Sequence, residues 1–249
     1  MANLNLIIDI GNSSCKAALF DGGAMVEIHK GSNSRIEILD KWCADYVIDR
    51  AIVSSVIELS DEISRQLESL PCPYVRFSTS MPLPVKLLYR TPETLGVDRL
   101  AAVIGAQAEA PGKDILVIDA GSAITYDFLD ADGNYHGGNI APGLAMRLKA
   151  LHEQTGKLPL VGVEGDTPAL GYNTETAIRS GVVRGIRYEI DGYVSELREK
   201  YPTVLIFLTG GDEKSLIYSV KNSVKSCIFA DEFLVLKGLN RILTNNDTI

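Results

Sequence analysis

Two stretches of the chain carry the same arrangement of apolar and polar positions. Residues 6 to 23, LIIDIGNSSCKAALFDGG, overlie residues 116 to 133, LVIDAGSAITYDFLDADG, at a fixed offset of 110. Six of the eighteen pairs are identical: Leu6/Leu116, Ile8/Ile118, Asp9/Asp119, Gly11/Gly121, Leu19/Leu129 and Gly23/Gly133. In each copy an apolar run ends in Asp, a glycine permits a tight turn, and a second run returns to a glycine-marked turn. The pattern predicts a β-hairpin with a polar tip, made twice. After the first copy it predicts a third strand around Met25–Ile28, a helix near Ile36–Ala44, a strand over Ala51–Val56, a helix over Leu59–Leu70 and a short strand at Tyr74–Phe77. After the second come a short strand near Tyr135, a helix over Leu144–Leu151, a long helix over Thr174–Glu199, a strand over Thr203–Leu208, a helix over Glu213–Val220 and a strand near Cys227. The chain therefore reads as α/β, in two related halves of residues 1–110 and 111–249, with the APGK stretch from Ala110 to Lys113 as the break. Asn245 to Ile249 read as a loose tail.

The long helix carries Ile178, Val182, Ile186, Ile190, Tyr193, Val194 and Leu197 at spacings of three and four, an apolar stripe that must pack on a sheet or a partner. Gly181 and Gly185 weaken it as a helix, which suggests that another backbone approaches there, from within the chain or from a second copy.

Composition narrows the function classes. The 249 residues are 46% apolar and 22% charged, an ordinary globular balance. A formal charge of −8 and a pI near 5.0 argue against a nucleic-acid or anionic-membrane surface. Cys15, Cys43, Cys72 and Cys227 form no Cys-x-x-Cys pair, so neither a zinc ribbon nor a dithiol redox site is read from them. The start, MANLNLIIDIG, lacks the basic n-region of a signal peptide, and no apolar stretch approaches the roughly 20 residues that span a bilayer. A cytoplasmic location with reduced thiols is the expectation.

The candidate chemistry lies in the loops. In DIGNSSCK, Asp9 to Lys16, the glycine lets backbone approach a ligand while Asn12, Ser13 and Ser14 offer donors to phosphate oxygens. Asp9 needs a Mg²⁺ ion, or its water shell, between its carboxylate and a nucleotide. An ordinary hairpin turn uses the same residues. The second loop, DAGSAIT from Asp119 to Thr125, repeats the Asp-x-Gly-Ser chemistry, and two such tips facing across a cleft make a phosphate clamp. No P-loop signature and no Gly-x-Gly-x-x-Gly after a strand is present. LTGGD, Leu208 to Asp212, is either an adenosine turn or a simple strand-to-helix turn. A phosphoryl acceptor also needs a carboxylate to take its proton, and Asp98 in TLGVDRLAAVIGA is the candidate, with Arg99 available to grip an anion. Val97, Leu100, Ala101, Ile104 and Ala108 make that helix's buried stripe, so Asp98 lies in its first turn and is equally placed to complement the helix dipole. His29, His136 and His152 stand at no metal-ligand spacing. HGGNIAPG, His136 to Gly143, implies backbone held close to something beside a helix N-terminus suited to anions, or a structural corner.

These residues, in order along nearly the whole chain, resemble the type III pantothenate kinases of the actin, sugar kinase and Hsp70 superfamily. The resemblance runs through DIGNSS, YRTPETLGVDR from Tyr89 to Arg99, DAGSAIT, GGNIAPGLAMRLKAL, NTETAIRSG from Asn173 to Gly181, and LTGGD. It implies two ribonuclease-H-like (actin-like ATPase) halves with a nucleotide cleft between them, and phosphorylation of pantothenate by ATP as the first step of coenzyme A synthesis. By it, Asp9, Ile10, Gly11, Asn12, Ser13, Ser14, Cys15, Lys16 and Ser122 bind ATP. Tyr89, Gly96, Val97, Asp98, Arg99 and Thr174 line the pantothenate pocket, with Asp98 as general base. Asp119 holds a monovalent cation, K⁺ or NH₄⁺, beside the Mg²⁺ at Asp9, and the protein is a homodimer whose pocket is completed near the subunit interface. Ser13 and Ser122 stand where the family usually has Thr, which keeps the hydroxyl, and Asp212 and Glu213 are more acidic than is usual there. Two other readings remain: a kinase for another small hydroxyl or carboxylate compound, and a non-catalytic nucleotide-gated regulatory module.

Overall fold

The computed structural model describes residues 3–211 and 228–246. The predicted helix over Glu213–Val220, together with Asp212 and Cys227, lies outside the described residues. The chain forms two compact units. The first comprises Met1–Gly112, Ala131–His136 and Phe233–Ile249, and the second Lys113–Asp130 and Gly137–Glu232.

In the first unit, β1 (Leu4–Ile10), β2 (Cys15–Asp21) and β3 (Ala24–Gly31) form an antiparallel meander. Then α1 (Leu39–Asp45) leads to β4 (Ile48–Ser55), which pairs parallel to β1, and α2 (Asp61–Glu68) leads to β5 (Tyr74–Arg76). The sheet order is β3-β2-β1-β4-β5. β1 is a nearly continuous apolar run because the central strand is covered on both faces, whereas edge strand β3 alternates between exposed and half-buried positions. Two-residue β6 (Lys86–Leu87) and a 3₁₀ turn (Pro92–Thr94) precede α3 (Val97–Glu109).

The second sheet repeats the plan. β7 (Ile115–Ala120), β8 (Ala123–Leu129) and β9 (Asn134–Pro142) are followed by α4 (Leu144–Glu153), α5 (Thr174–Lys200), β10 (Leu205–Thr209) and β11 (Ile228–Ala230). The order β9-β8-β7-β10-β11 is that of the first sheet, with β6 beside the first residues of β9. The apolar stripe of α5 from Ile178 to Val194 packs on β7, β8 and β10 in one core. Gly181 and Gly185, expected to admit another backbone, meet no atom of the described residues within 4 Å where a Cβ would stand.

One helix escaped the sequence pattern. α6 (Leu234–Asn245) packs in the first unit against α3, so the first unit includes the chain's C-terminal end, which the sequence boundary at residue 110 assigns to the second half. The crossing is very close. A Cβ on Gly105 would stand 2.2 Å from the Leu234 carbonyl oxygen, and one on Gly238 would stand 1.8 Å from that of Ala101. Because α6 covers a second face of α3, Ala102, Val103 and Ala106 are buried as well as the expected stripe, while Ala108 at the helix end is exposed. Asn240 fixes α6 to the sheet by accepting from Asn5 Nδ2 at 2.9 Å and donating to the Gly22 carbonyl at 2.8 Å. Asn246, expected in the loose tail, is buried and donates to the Ile242 and Pro82 carbonyls.

Candidate active site

Sheet register decides what surrounds each aspartate. Asp9, at the end of central strand β1, faces Lys16 on β2 and Ser54 on β4, while Asp119, at the same place in β7, faces Thr125 on β8 and Thr209 on β10. Asp9 lies opposite the residue seven positions on and Asp119 opposite the residue six positions on, so the second loop is one residue shorter and the fixed offset of 110 shifts there. One loop therefore sets a lysine beside its aspartate, the other a threonine.

The first loop is a tight turn closed by Gly11 N–H donating to the Ser14 carbonyl at 2.9 Å. Asn33, which the sequence did not single out, braces it by donating to the carbonyls of Asn12 at 2.8 Å and Gly11 at 3.2 Å. Asn12, Ser13 and Ser14 are exposed and available to a ligand. Ile10 and Cys15 are buried, so only their backbone can contribute. Burial and the nearby Asp9 push the Cys15 thiol up to about 12, which makes it an inert packing group.

Within the first unit the charge of Asp98 acts on Asp9. Burial raises the Asp9 carboxyl to about 6, with the charge of Asp98 adding to the rise, while Lys16 and the neighbouring Ser54 hydroxyl oppose it. Asp98 sits in the first turn of α3, where Oδ1 accepts the Arg99 N–H at 2.8 Å, so it also serves the helix terminus. Gly96 precedes it because a Cβ there would stand 2.7 Å from Asp98 Oδ1. Arg99 is buried, Val97 and Tyr89 are half-buried, and the Tyr89 ring lies 6.2 Å from that of Tyr135.

In the second unit three segments converge on Asp119 and Ser122. The loop closes with Gly121 N–H donating to the Ala123 carbonyl at 3.0 Å. Gly143, which starts α4, donates to the Ser122 carbonyl at 3.1 Å. A Cβ on Gly143 would stand 2.3 Å from the Gly121 oxygen, which is what the Gly-rich HGGNIAPG segment is held against. Gly210, with φ +102°, leaves no room for a Cβ beside Asp119 Oδ1 and the Ala120 carbonyl. Thr125 Oγ1 is buried with no hydrogen-bond partner among the described residues. Thr174 is exposed at the start of α5, whereas Thr176 is buried and committed to a capping box with Asn173. Thr174 is thus the threonine of the pair that can meet a ligand. Among the described residues no group of three or more His, Cys, Asp or Glu could hold a metal, so a cation here depends on single carboxylates with hydroxyl or phosphate oxygens.

Two units of identical strand order, each with an aspartate at the tip of its central hairpin, are the arrangement of the actin-like ATPase and sugar-kinase fold. Similar solved structures include a Baf-family protein from Campylobacter jejuni described as a putative transcriptional activator, at TM-score 0.62 and 22% identity over 98% of this chain and 100% of that one. They also include a ROK family glucokinase from Streptomyces griseus in complex with glucose and AMPPNP, at TM-score 0.54 and 12% identity over 96% of this chain and 99% of that one. Such distant likeness speaks for the fold alone. The family model described as type III pantothenate kinase matches residues 5–196. Type III pantothenate kinases of Phocaeicola vulgatus and Bacteroides fragilis are 55% and 56% identical to this chain, over 99% and 98% of its length and 100% and 99% of theirs. The chain belongs to the type III pantothenate kinases.

Proposed function

We propose that the chain transfers the γ-phosphoryl group of ATP to the primary hydroxyl of pantothenate, giving 4′-phosphopantothenate and ADP, the first step of coenzyme A synthesis. The observation that carries this reading, beyond the family, is the first hairpin tip: Asp9 ends the central strand and Asn12, Ser13 and Ser14 stand exposed in a turn closed by Gly11 N–H on the Ser14 carbonyl.

Asp98 accepts the hydroxyl proton as that oxygen attacks the γ-phosphorus and the bond to the ADP oxygen breaks. Tyr89, Gly96, Val97 and Arg99 of the first unit are assigned contacts with pantothenate, as is Thr174 of the second. Asn12, Ser13 and Ser14, with the backbone of Ile10, Gly11 and Cys15, hold phosphate oxygens, Lys16 offsets their charge, and Ser122 serves the same end in the second loop. Burial and the Asp98 charge raise the Asp9 carboxyl against Lys16, and that carboxylate would hold a divalent cation, directly or through water. Mg²⁺ bound with the nucleotide would neutralise charge that builds on the phosphates. Asp119, flanked by Thr209 and by Thr125 with its unpartnered hydroxyl, fits a monovalent cation, K⁺ or NH₄⁺, through an all-oxygen donor set.

We further propose a homodimer joined along α5, supported by Gly181, Gly185 and Gly192, where a Cβ would meet no atom of the described residues, and by Tyr188, 55% exposed, on the same helix. Among the described residues no helix is long and apolar enough to cross a membrane, and a cytoplasmic location is proposed with the activity.

The test is ADP release in Mg²⁺ and K⁺ with and without pantothenate. Pantothenate-dependent ADP with stoichiometric phosphopantothenate is expected, and ADP release indifferent to pantothenate overturns the reading. Asp98→Asn should keep ATP binding and lose about 10²- to 10⁴-fold in kcat.

A further inference from the structure

The second loop is held from behind by a relay that begins on α5. Arg147, on α4, donates through Nε to the Pro142 carbonyl at 2.7 Å and through Nη2 to Glu189 Oε2 at 2.8 Å. The other Glu189 oxygen accepts the Tyr126 hydroxyl at 2.7 Å, and burial with that carboxylate nearby keeps the Tyr126 phenol protonated as a donor. The Arg147 and Glu189 side chains are 20% and 27% exposed, so the pair is partly shielded from water and stronger than a surface pair. Pro142 leads directly into Gly143, whose N–H donates to the Ser122 carbonyl and whose Cα leaves no space against Gly121 and Ser122. Every step from α5 to the loop is therefore a direct hydrogen bond, a covalent neighbour or a backbone in contact.

We propose that Arg147 and Glu189 are a positioning pair for the nucleotide-phosphate loop, setting where Gly121 and Ser122 stand through the Pro142–Gly143 step. The proposal rests on the reading of Asp119 to Thr125 as a phosphate loop. Neither residue touches substrate. The guanidinium is required because two of its N–H groups reach a carbonyl and a carboxylate at once, which one ammonium cannot reproduce in the same geometry. Phosphate stabilisation depends on donors held to within a fraction of an ångström, so slack in the loop acts on the nucleotide and leaves the pantothenate pocket alone.

Steady-state rates with ATP and pantothenate varied independently test this, on protein shown to be folded by its thermal unfolding transition. Arg147→Met should raise KM for ATP about tenfold to a hundredfold with KM for pantothenate nearly unchanged. Arg147→Lys should recover little of it, and adding Glu189→Met to Arg147→Met should make it no worse, since the two act as a unit. Should Arg147→Met not fold, Glu189→Gln, which keeps the side chain's shape, is read the same way. Unchanged ATP kinetics, or equal shifts in both KM values, overturn the proposal. Asp119→Asn separates the underlying reading: if it leaves ATP kinetics intact, the loop is not a phosphate loop, whereas if it impairs them and the Arg147 and Glu189 variants do not, only the positioning pair fails.

Discussion

Asp9 ionises against its surroundings, since burial and Asp98 both disfavour the charge and Lys16 and Ser54 offset only part of it. Its folded pKa of about 6 lies above its ordinary value of 3.8, so the folded state binds the proton more tightly than the unfolded one. The stability tied to that proton is fully present below 3.8 and is lost as pH rises through about 6. Asp9→Asn removes the buried charge, and the metal-free variant should unfold at a higher temperature than the parent at pH 8, with a gain on the order of 2 kcal/mol, while losing Mg²⁺-dependent turnover. Calorimetry at pH 5 and pH 8 checks this: the advantage should shrink at the lower pH, and an equal difference at both would exclude the ionisation as its cause.

At the scale of elements, the contact between α3 and α6 is set by two glycines rather than by interlocking side chains. Gly238→Ala would drive a methyl into the Ala101 carbonyl, and the helices must part to admit it. We expect a loss of about 3 kcal/mol or more, measured by denaturant unfolding. Gly181→Ala on α5 meets no atom of the described residues and should be neutral or slightly stabilising in the monomer, so any loss of dimer in sedimentation would mark that face as the seam. The hairpins were legible because an apolar run, an aspartate and a glycine turn are local signals. α6 was not, because FLVLKGLNRILTN resembles many amphipathic segments and its purpose lies in α3, some 130 residues earlier.

For the whole molecule, chain order and unit membership part company at the C-terminus. Leu234, Leu236, Leu239, Ile242 and Leu243 on α6 are almost wholly buried in the first unit. A chain ending at Glu232 should therefore lose cooperative unfolding of that unit and accumulate as aggregate, read by circular dichroism and soluble yield. Retention of a full-amplitude unfolding transition would show that α6 is dispensable.

The duplication, the α/β class and the two aspartate loops are legible in the sequence, because each is written in residues adjacent along the chain. Tertiary structure alone decided the partners of each aspartate. Register, not sequence distance, puts Lys16 and Ser54 beside Asp9 and Thr125 and Thr209 beside Asp119. Likewise Asp98 acts on Asp9, Asn33 on the first loop, and Arg147 with Glu189 behind the second, across separations of 21 to 89 positions that no local pattern encodes.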